Sequence, residues 1–452
     1  MPTIKAPPQP KRKLVEKVAV GKDILELLSS GMYVDPLAVF REYIQNAADS
    51  IDAATDAGLF RNGSRPKIEV SLDLAQRTIT IRDNGTGLGS KLFEATLASI
   101  GCSEKKLGRA RGFRGIGRLG GLGYCQELRM RSRVESEDTI SELKWDCKRW
   151  KELLVDPAYK TLEEIVPEIV TVDSAASSGY PSRFFEVQLV GVGRHNNDVL
   201  LNEVAVVTCL SQVAPVDFAP DFSFRQEIRN HLDRFDAGPV YDVTVNGKTI
   251  RRPHKDSFNV RKEVESRFTN LELFHIPGIS TDLDAIGWIL HSPYLGAIPD
   301  KAGFKGLRLR AGNIQIGDAD LLNKIFHEVR FNSWCVGECH VLNPKLIPNG
   351  RRDDFEQNGH YASLVNQLQV KAKTIAQLCR QSSAKRSQAT DKKDAEDVIV
   401  NWAKAREFLN KNGQRKLSGF HTKGLKKLLR QRARYVDFVA LLTSPSVKAK
   451  DR

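Results

Sequence analysis

Residues 14–193 predict an α/β two-layer sandwich, with helices laid on one side of a mainly antiparallel sheet. Strict alternation in Lys67–Leu72 and Thr78–Ile81, with turn residues Asp73–Arg77 between them, predicts a hairpin. Further strand-like stretches follow at Glu127–Val134, Thr139–Trp145 and Arg183–Val190. Helical spacing runs through Leu14–Ser30 and Asp35–Gly58. In the second of these, Asp35 is placed to cap the helix and Pro36 to open it.

A second α/β region is expected over residues 194–380. It opens with a predicted helix, Asn197–Gln212, and continues with a hairpin, Tyr241–Ile250, turning on Asn246-Gly247. Strands are expected at Ala285–Leu290 and Leu307–Ile316, and a helix at Asp320–Glu328. The polar stretch 381–394 reads as a linker, and residues 395–452 as a basic helical tail with helices at Ala395–Leu409 and Leu425–Leu442. Residues 1–13 are Pro-rich and basic with no apolar run behind them, which suggests a disordered lead-in rather than a signal peptide.

The 452 residues suggest about three domains. With 41% hydrophobic and 27% charged residues the composition is that of an ordinary soluble protein. No apolar run is long enough to cross a bilayer, so no membrane partner is expected. Seven scattered cysteines, an odd number, suggest reduced thiols and a cytoplasmic location. The net charge of +14 is uneven: residues 401–452 hold 14 Lys/Arg against three acids. Such a tail suits nucleic acid or acidic protein surfaces, or simply a solvated helix pair.

Three segments carry the chemistry. On the Asp35–Gly58 helix, Glu42 and Asn46 lie four residues apart and project together, with Asp49 a turn further along. A carboxylate within reach of a water can act as general base on a γ-phosphate, and a neutral amide oxygen suits Mg²⁺. By itself, Glu-x-x-x-Asn also occurs on many solvated helix faces. The second segment ends the strand through Ile79 and Ile81 on Asp83-Asn84-Gly85-Thr86-Gly87-Leu88-Gly89. There glycines allow close approach of the backbone, and Asp83 is an acceptor for an adenine amino group. The third, from Gly108 to Gly123, holds seven glycines in 16 residues, where average usage of roughly 7% would give about one. A run so rich in glycine makes a poor helix or strand interior. It suits a cover that moves over or wraps phosphates, with Arg109, Arg111, Arg114 and Arg118 supplying positive charge.

Gly115-Ile116-Gly117-Arg118-Leu119-Gly120 also matches the dinucleotide fingerprint, with Glu135 near the acidic position. That fingerprint must follow a buried strand, which Lys105–Gly112 cannot form. No Gly-x-x-x-x-Gly-Lys-Ser/Thr loop exists, which excludes a P-loop enzyme. Cys335-x-x-x-Cys339-His340 suggests metal, but zinc takes four ligands and no partner set accompanies it. A strand with buried thiols is the expectation there.

Taken in order, Glu42-x-x-x-Asn46, Asp83-x-Gly85-x-Gly87 and Gly112-x-x-Gly115-x-Gly117 resemble the three boxes of the Bergerat-fold ATPases. This superfamily, GHKL, joins gyrase, heat-shock chaperones, histidine kinases and MutL. The resemblance implies ATP and Mg²⁺ as cofactors, Glu42 as general base, Asn46 as metal ligand and Asp83 as the adenine contact. Asp49, Gly85, Gly87, Gly112, Arg114, Gly115 and Gly117 would shape the pocket. Histidine kinases typically carry Asn where this chain has Glu42, so hydrolysis is implied over phosphotransfer to protein. The family's fourth motif, a Thr near the last strand of the domain, has no clear match, and Ser182 is the nearest substitute.

Ile347-Pro348-Asn349-Gly350-Arg351-Arg352-Asp353 is similar to the segment of the HtpG-type, ninety-kilodalton heat-shock chaperones that carries an arginine into the ATP site. Aligning Asn349 makes Arg352 the candidate. The second region would then be a transducer resembling the ribosomal-protein-S5-like module. These resemblances imply an ATP hydrolase, chaperone-like, that closes on ATP, dimerises and remodels a client or partner. A MutL- or Morc-type ATPase using the basic tail on nucleic acid, in genome maintenance or defence, is the alternative. A nucleotide-gated scaffold with negligible turnover is a third reading.

Overall fold

The computed structural model describes residues 20–28, 31, 35–61, 63–100, 115–279 and 283–412. Residues up to Ile375 form one compact unit and those from Ala376 a second.

Helix α1 (Ile24–Leu28) is short; α2 (Ala38–Asp56) is long and carries the first motif. The helix opens at Ala38 rather than at Pro36: Leu37 is its N-cap, with no side-chain capping bond, and the Asp35 carboxylate accepts the Leu37 N–H at 3.0 Å in the turn before it. Strands β1 (Lys67–Asp73) and β2 (Thr78–Asp83) form the predicted hairpin. There follow α3 (Ser90–Ala98), β3 (Glu127–Arg133), β4 (Thr139–Asp146), α4 (Cys147–Val155), α5 (Leu162–Ile169), β5 (Val170–Ala176) and β6 (Phe184–Val190). Next come α6 (Glu203–Val213) and α7 (Arg225–Arg234), then the hairpin β7 (Asp242–Val245) and β8 (Lys248–Thr249).

These eight strands make one sheet in the order β5-β4-β3-β6-β2-β1-β7-β8. All neighbours are antiparallel except β1 and β7, so the hairpin from the second sequence region completes the edge of the first sheet. Alternation decides the layers. Val70, Ile79, Ile81, Met130, Leu143, Val187 and Leu189 pack against Phe40, Ile44, Ala48 and Ile51 of α2 in one core. Residues one step out of phase, such as Arg82, Arg131, Glu142 and Glu186, pair with one another on the other face.

The chain then forms a two-stranded hairpin, β9 (Ser257–Arg261) and β10 (Val264–Arg267). A five-stranded sheet follows, from β11 (Asn270–Pro277), β12 (Leu283–His291), β13 (Gly306–Ala311), β14 (Ile314–Ile316) and β15 (Val336–Val341). Its order is β11-β12-β15-β13-β14, and Ile286, Trp288 and Leu290 of β12 share a core with Ile228 and Leu232 of α7. Helix α8 (Gly359–Asn412) comes last.

Four further expectations are corrected. The helix expected at Asn197–Gln212 begins only at Glu203, because Asn196, Asn197 and Asp198 all take positive φ and Asn202 caps the helix by accepting from the Ala205 N–H at 3.1 Å. Leu307–Ile316 is two strands rather than one, folded back at Gly312 and Asn313, both at positive φ. Asp320–Glu328 is not an α-helix but a 3₁₀ turn at Leu321–Ile325. The Ala319 carbonyl, which an α-helix would offer to Asn323, accepts the Asn332 side chain at 3.0 Å instead. Residues 381–394 are helical and not a linker: they contain neither Gly nor Pro, and Arg386 donates back one turn to Ser382 Oγ at 2.6 Å. The helix expected at Leu425–Leu442 lies outside the described residues.

Cys335, just before β15, and Cys339, within it, are both buried. His340 is engaged by Glu338 at 3.0 Å, and no metal-binding group of three or more His, Cys, Asp or Glu occurs among the described residues. Glu338 is the centre of an ionic cluster. Burial pushes its carboxyl up, but the guanidinium groups of Arg252 and Arg310 overcome this and hold it well below the usual range. Removing one partner of a buried pair costs about 3–5 kcal/mol, so this cluster ties β13, through Arg310, and the segment holding Arg252 to β15.

Burial drives His254 down to about 3, and His340 down to about 4 against the pull of Glu338. Both imidazoles are therefore neutral when folded, whereas the unfolded chain takes up those protons near about pH 6.5. Their contribution is fully present above that pH and is lost as pH falls towards 4. The urea midpoint should drop between pH 7 and pH 5. His254→Phe, which keeps the ring against Phe218, Trp288 and Phe304, should shrink that drop; an unchanged drop would exclude His254 as a cause.

Candidate active site

Helix α2 buries one side against the sheet and turns a second stripe towards the chain segments that cross it. Glu42 lies on that stripe and is 5% exposed; Asn46 and Asp49 are half-buried on successive turns. On the neighbouring strand, Asp83 follows Ile79 and Ile81 on the face covered by α2 and is 4% exposed. Its Oδ1 accepts the Gly85 N–H at 2.8 Å, which bends the chain sharply after β2.

That bend docks on α2. The Thr86 N–H donates to the Ser50 carbonyl at 3.2 Å, and a Cβ on Gly85 would fall 2.5 Å from the Ser50 carbonyl carbon. Only glycine fits there. Gly87, at φ +67°, continues the loop beside the Arg133 carbonyl. At the other end of the stripe, Gly117 abuts the catalytic candidate itself: a Cβ there would lie 2.4 Å from Glu42 Oε2. Gly115 takes φ +69° just before the 3₁₀ turn Gly117–Leu119. Gly112 and Arg114 lie outside the described residues.

Arg352 comes from a turn in the second sequence region. It is 7% exposed, and its Nε lies 3.4 Å from Glu42 Oε1. Arg351, beside it, is exposed. The turn is tightly held, with the Asn349 N–H donating to the Asp354 carbonyl at 2.9 Å and the Gly317 N–H to the Arg352 carbonyl at 2.8 Å. This holds Arg352 at φ +57°, a left-handed backbone that costs a non-glycine residue energy. Sequence reasoning missed Arg41, which donates to the Arg351 carbonyl at 2.8 Å and the Arg352 carbonyl at 3.3 Å. Nothing in local spacing announces that role, because its partners lie some three hundred residues away in the chain.

Ser182 is exposed in the bend before β6, and strand register puts Phe185 opposite Asp83. The side chain flanking Asp83 on β6 is therefore an aromatic ring rather than a hydroxyl. Two of the cavities among the described residues lie near these elements. One, of about 870 Å³, lies between the start of α2, α6 and the 317–321 segment. The other, of about 340 Å³, lies on the opposite face of the sheet by Arg82 and Glu186. Neither is lined by Glu42, Asn46 or Asp83. The loop after β2 docks on α2 at Ser50, which sets the end of β2 beside the helix that carries Glu42 and Asn46.

The chain matches a family model over residues 37–176, that of the histidine kinase-, DNA gyrase B-, and HSP90-like ATPases. The chaperone protein HtpG of Polaromonas naphthalenivorans is 41% identical over 73 residues, 15% of this chain and 12% of the relative. HtpG of Coxiella burnetii is 34% identical over 107 residues, 23% of this chain and 16% of the relative. HtpG of Fusobacterium nucleatum is 32% identical over 102 residues, 21% of this chain and 17% of the relative. The matches thus span less than a fifth of the length of these relatives. The N-terminal region is a GHKL ATPase domain close to HtpG-like proteins. Among the described residues no helix is long and apolar enough to cross a membrane.

Proposed function

We propose that the chain binds ATP and hydrolyses it slowly, using nucleotide-driven closure to remodel a partner protein in a chaperone-like cycle. The observation that carries the reading is Glu42: buried, with Oε1 making no hydrogen bond, and approached by an arginine from the second sequence region at 3.4 Å. At that distance Arg352 neutralises charge without satisfying the oxygen, which leaves Glu42 an acceptor for a water proton.

In this reading the water oxygen attacks the γ-phosphorus and the bond to the bridging oxygen breaks. Glu42 takes the water's proton; ADP and phosphate leave. Arg352 offsets negative charge as it spreads over the transferring group. Asp83 accepts from the adenine amino group. A buried carboxylate oxygen in need of a donor, beside the neutral amide of Asn46, fits a hydrated Mg²⁺ held through one protein oxygen. Such an ion supplies charge neutralisation to the phosphates when bound. Closure of the glycine-rich run, a transducer role for the second sheet and ATP-dependent dimerisation belong to the same proposal.

The test is ATP affinity by calorimetry alongside phosphate release. Asp83→Asn reverses the polarity of the proposed adenine contact and should weaken ATP binding by at least about tenfold, a hydrogen bond to a charged group contributing about 1.5–3 kcal/mol. Unchanged affinity would remove Asp83 from the site. The surplus of basic residues in 401–452 favours a second reading, a nucleic-acid-associated ATPase. Duplex DNA binding that weakens steeply with salt and disappears on removal of residues 395–452 would support it; salt-insensitive or absent binding would leave the chaperone-like reading.

A further inference from the structure

The 3₁₀ turn that abuts Glu42 has one of its hydrogen bonds made by a side chain. Leu119 N–H donates to Ile116 O at 2.9 Å, Gly120 to Gly117 at 3.1 Å, and Leu122 to Leu119 at 3.0 Å, each three residues back. The bond missing from that ladder is Gly121 N–H to Arg118 O. Both groups bond Tyr43 instead. Its hydroxyl accepts the Gly121 N–H at 3.0 Å and donates to the Arg118 carbonyl at 3.2 Å. Tyr43 is buried on α2, next in sequence to Glu42. A Cβ at Gly121 would lie 2.5 Å from the hydroxyl, so the glycine is what admits it.

We propose that Tyr43 is a positioning residue for hydrolysis: its hydroxyl, inserted in the turn, holds Gly117 against the Glu42 carboxylate. The inference rests on the ATPase reading above. Successive residues of one helix then serve one end: Glu42 meets the turn's backbone at Gly117, and Tyr43 sets where that backbone sits. A hydroxyl bridging a carbonyl and an N–H is a removable link, because the turn can close its own bond once the oxygen is gone. Tyr43→Phe therefore releases the turn from α2 without leaving two buried groups unpaired. Gly121→Ala reaches the same end from the other side, since its methyl group takes the hydroxyl's place. Position 121 is not among the left-handed glycines, so alanine suits the backbone.

The experiment is a double-mutant cycle on the full chain, reading kcat, ATP affinity and amide hydrogen exchange over 116–124 without nucleotide. Each single variant should lower kcat at least about fivefold while ATP affinity stays within about twofold, and the double variant should be no worse than either single one. Tyr43→Phe should also speed exchange in 116–124. A structural defect alone would lower stability and affinity together and would not show this split. A Tyr43→Phe kcat within about 1.5-fold of wild type, or losses that multiply in the double variant, would overturn the proposal. If wild type released no phosphate, the ATPase reading would fall by itself. The exchange comparison would still decide the link, and unchanged exchange across 116–124 would refute it.

Discussion

Glu42→Ala is expected to leave ATP affinity within about threefold of wild type and to cut phosphate release at least about 100-fold, the lower end of what general-base catalysis contributes. The split matters more than the size of the loss. Glu42 is buried beside Gly117 and Arg352, whereas the proposed adenine contact, Asp83, lies on the neighbouring strand. A side chain serving only to hold the fold would take binding down with turnover. Retained binding with turnover intact would strike Glu42 from the mechanism.

Arg352→Ala is expected to lower kcat by roughly 10–1,000-fold, within or below the range measured for arginines that neutralise phosphoryl transfer. It should also destabilise the protein, because among the described residues the ion-pair partner left to Glu42 is Arg41, at 4.0 Å. Two further variants separate the effects. Arg352→Gly removes the same charge but relieves the φ of +57°, so it should be more stable than Arg352→Ala by up to about 1 kcal/mol. Glu42→Gln combined with Arg352→Ala should recover part of the stability, since the buried carboxylate charge that lost its nearer partner is then removed. Denaturation midpoints and single-turnover rates measure both. If Arg352→Ala hydrolyses ATP as wild type does, the turn at 348–355 plays no part in the chemistry.

Much of the site could be read in the chain because its parts are local. The Glu42-to-Asn46 spacing sets a shared helical stripe, and the alternation of Ile79, Ile81 and Asp83 puts the carboxylate on the face the helix covers. Gly85 was legible as a point of close approach, though not that Ser50 was what it approached. The errors lie where one side chain far along the chain overrides local preference. Asn332 takes the carbonyl that would have extended a helix at 320–328, and three left-handed residues delay the helix after Gly193. The stretch 381–394 is a different failure: polarity suggested a linker, yet without Gly or Pro nothing breaks the helix.

Periodicity and turn chemistry, read along the chain, were enough to determine seven of the first sheet's eight strands, β5 being missed, together with the α2 stripe and the order of the three glycine- and acid-bearing motifs, because each depends on residues a few positions apart. Only the tertiary structure decided that Arg352 lies 3.4 Å from Glu42, that Arg41 ties down the turn delivering it, and that Phe185 stands opposite Asp83. Those choices depend on strand register and on contacts across some three hundred residues of chain. No local pattern encodes them, because many side chains could reach such a position and packing selects one.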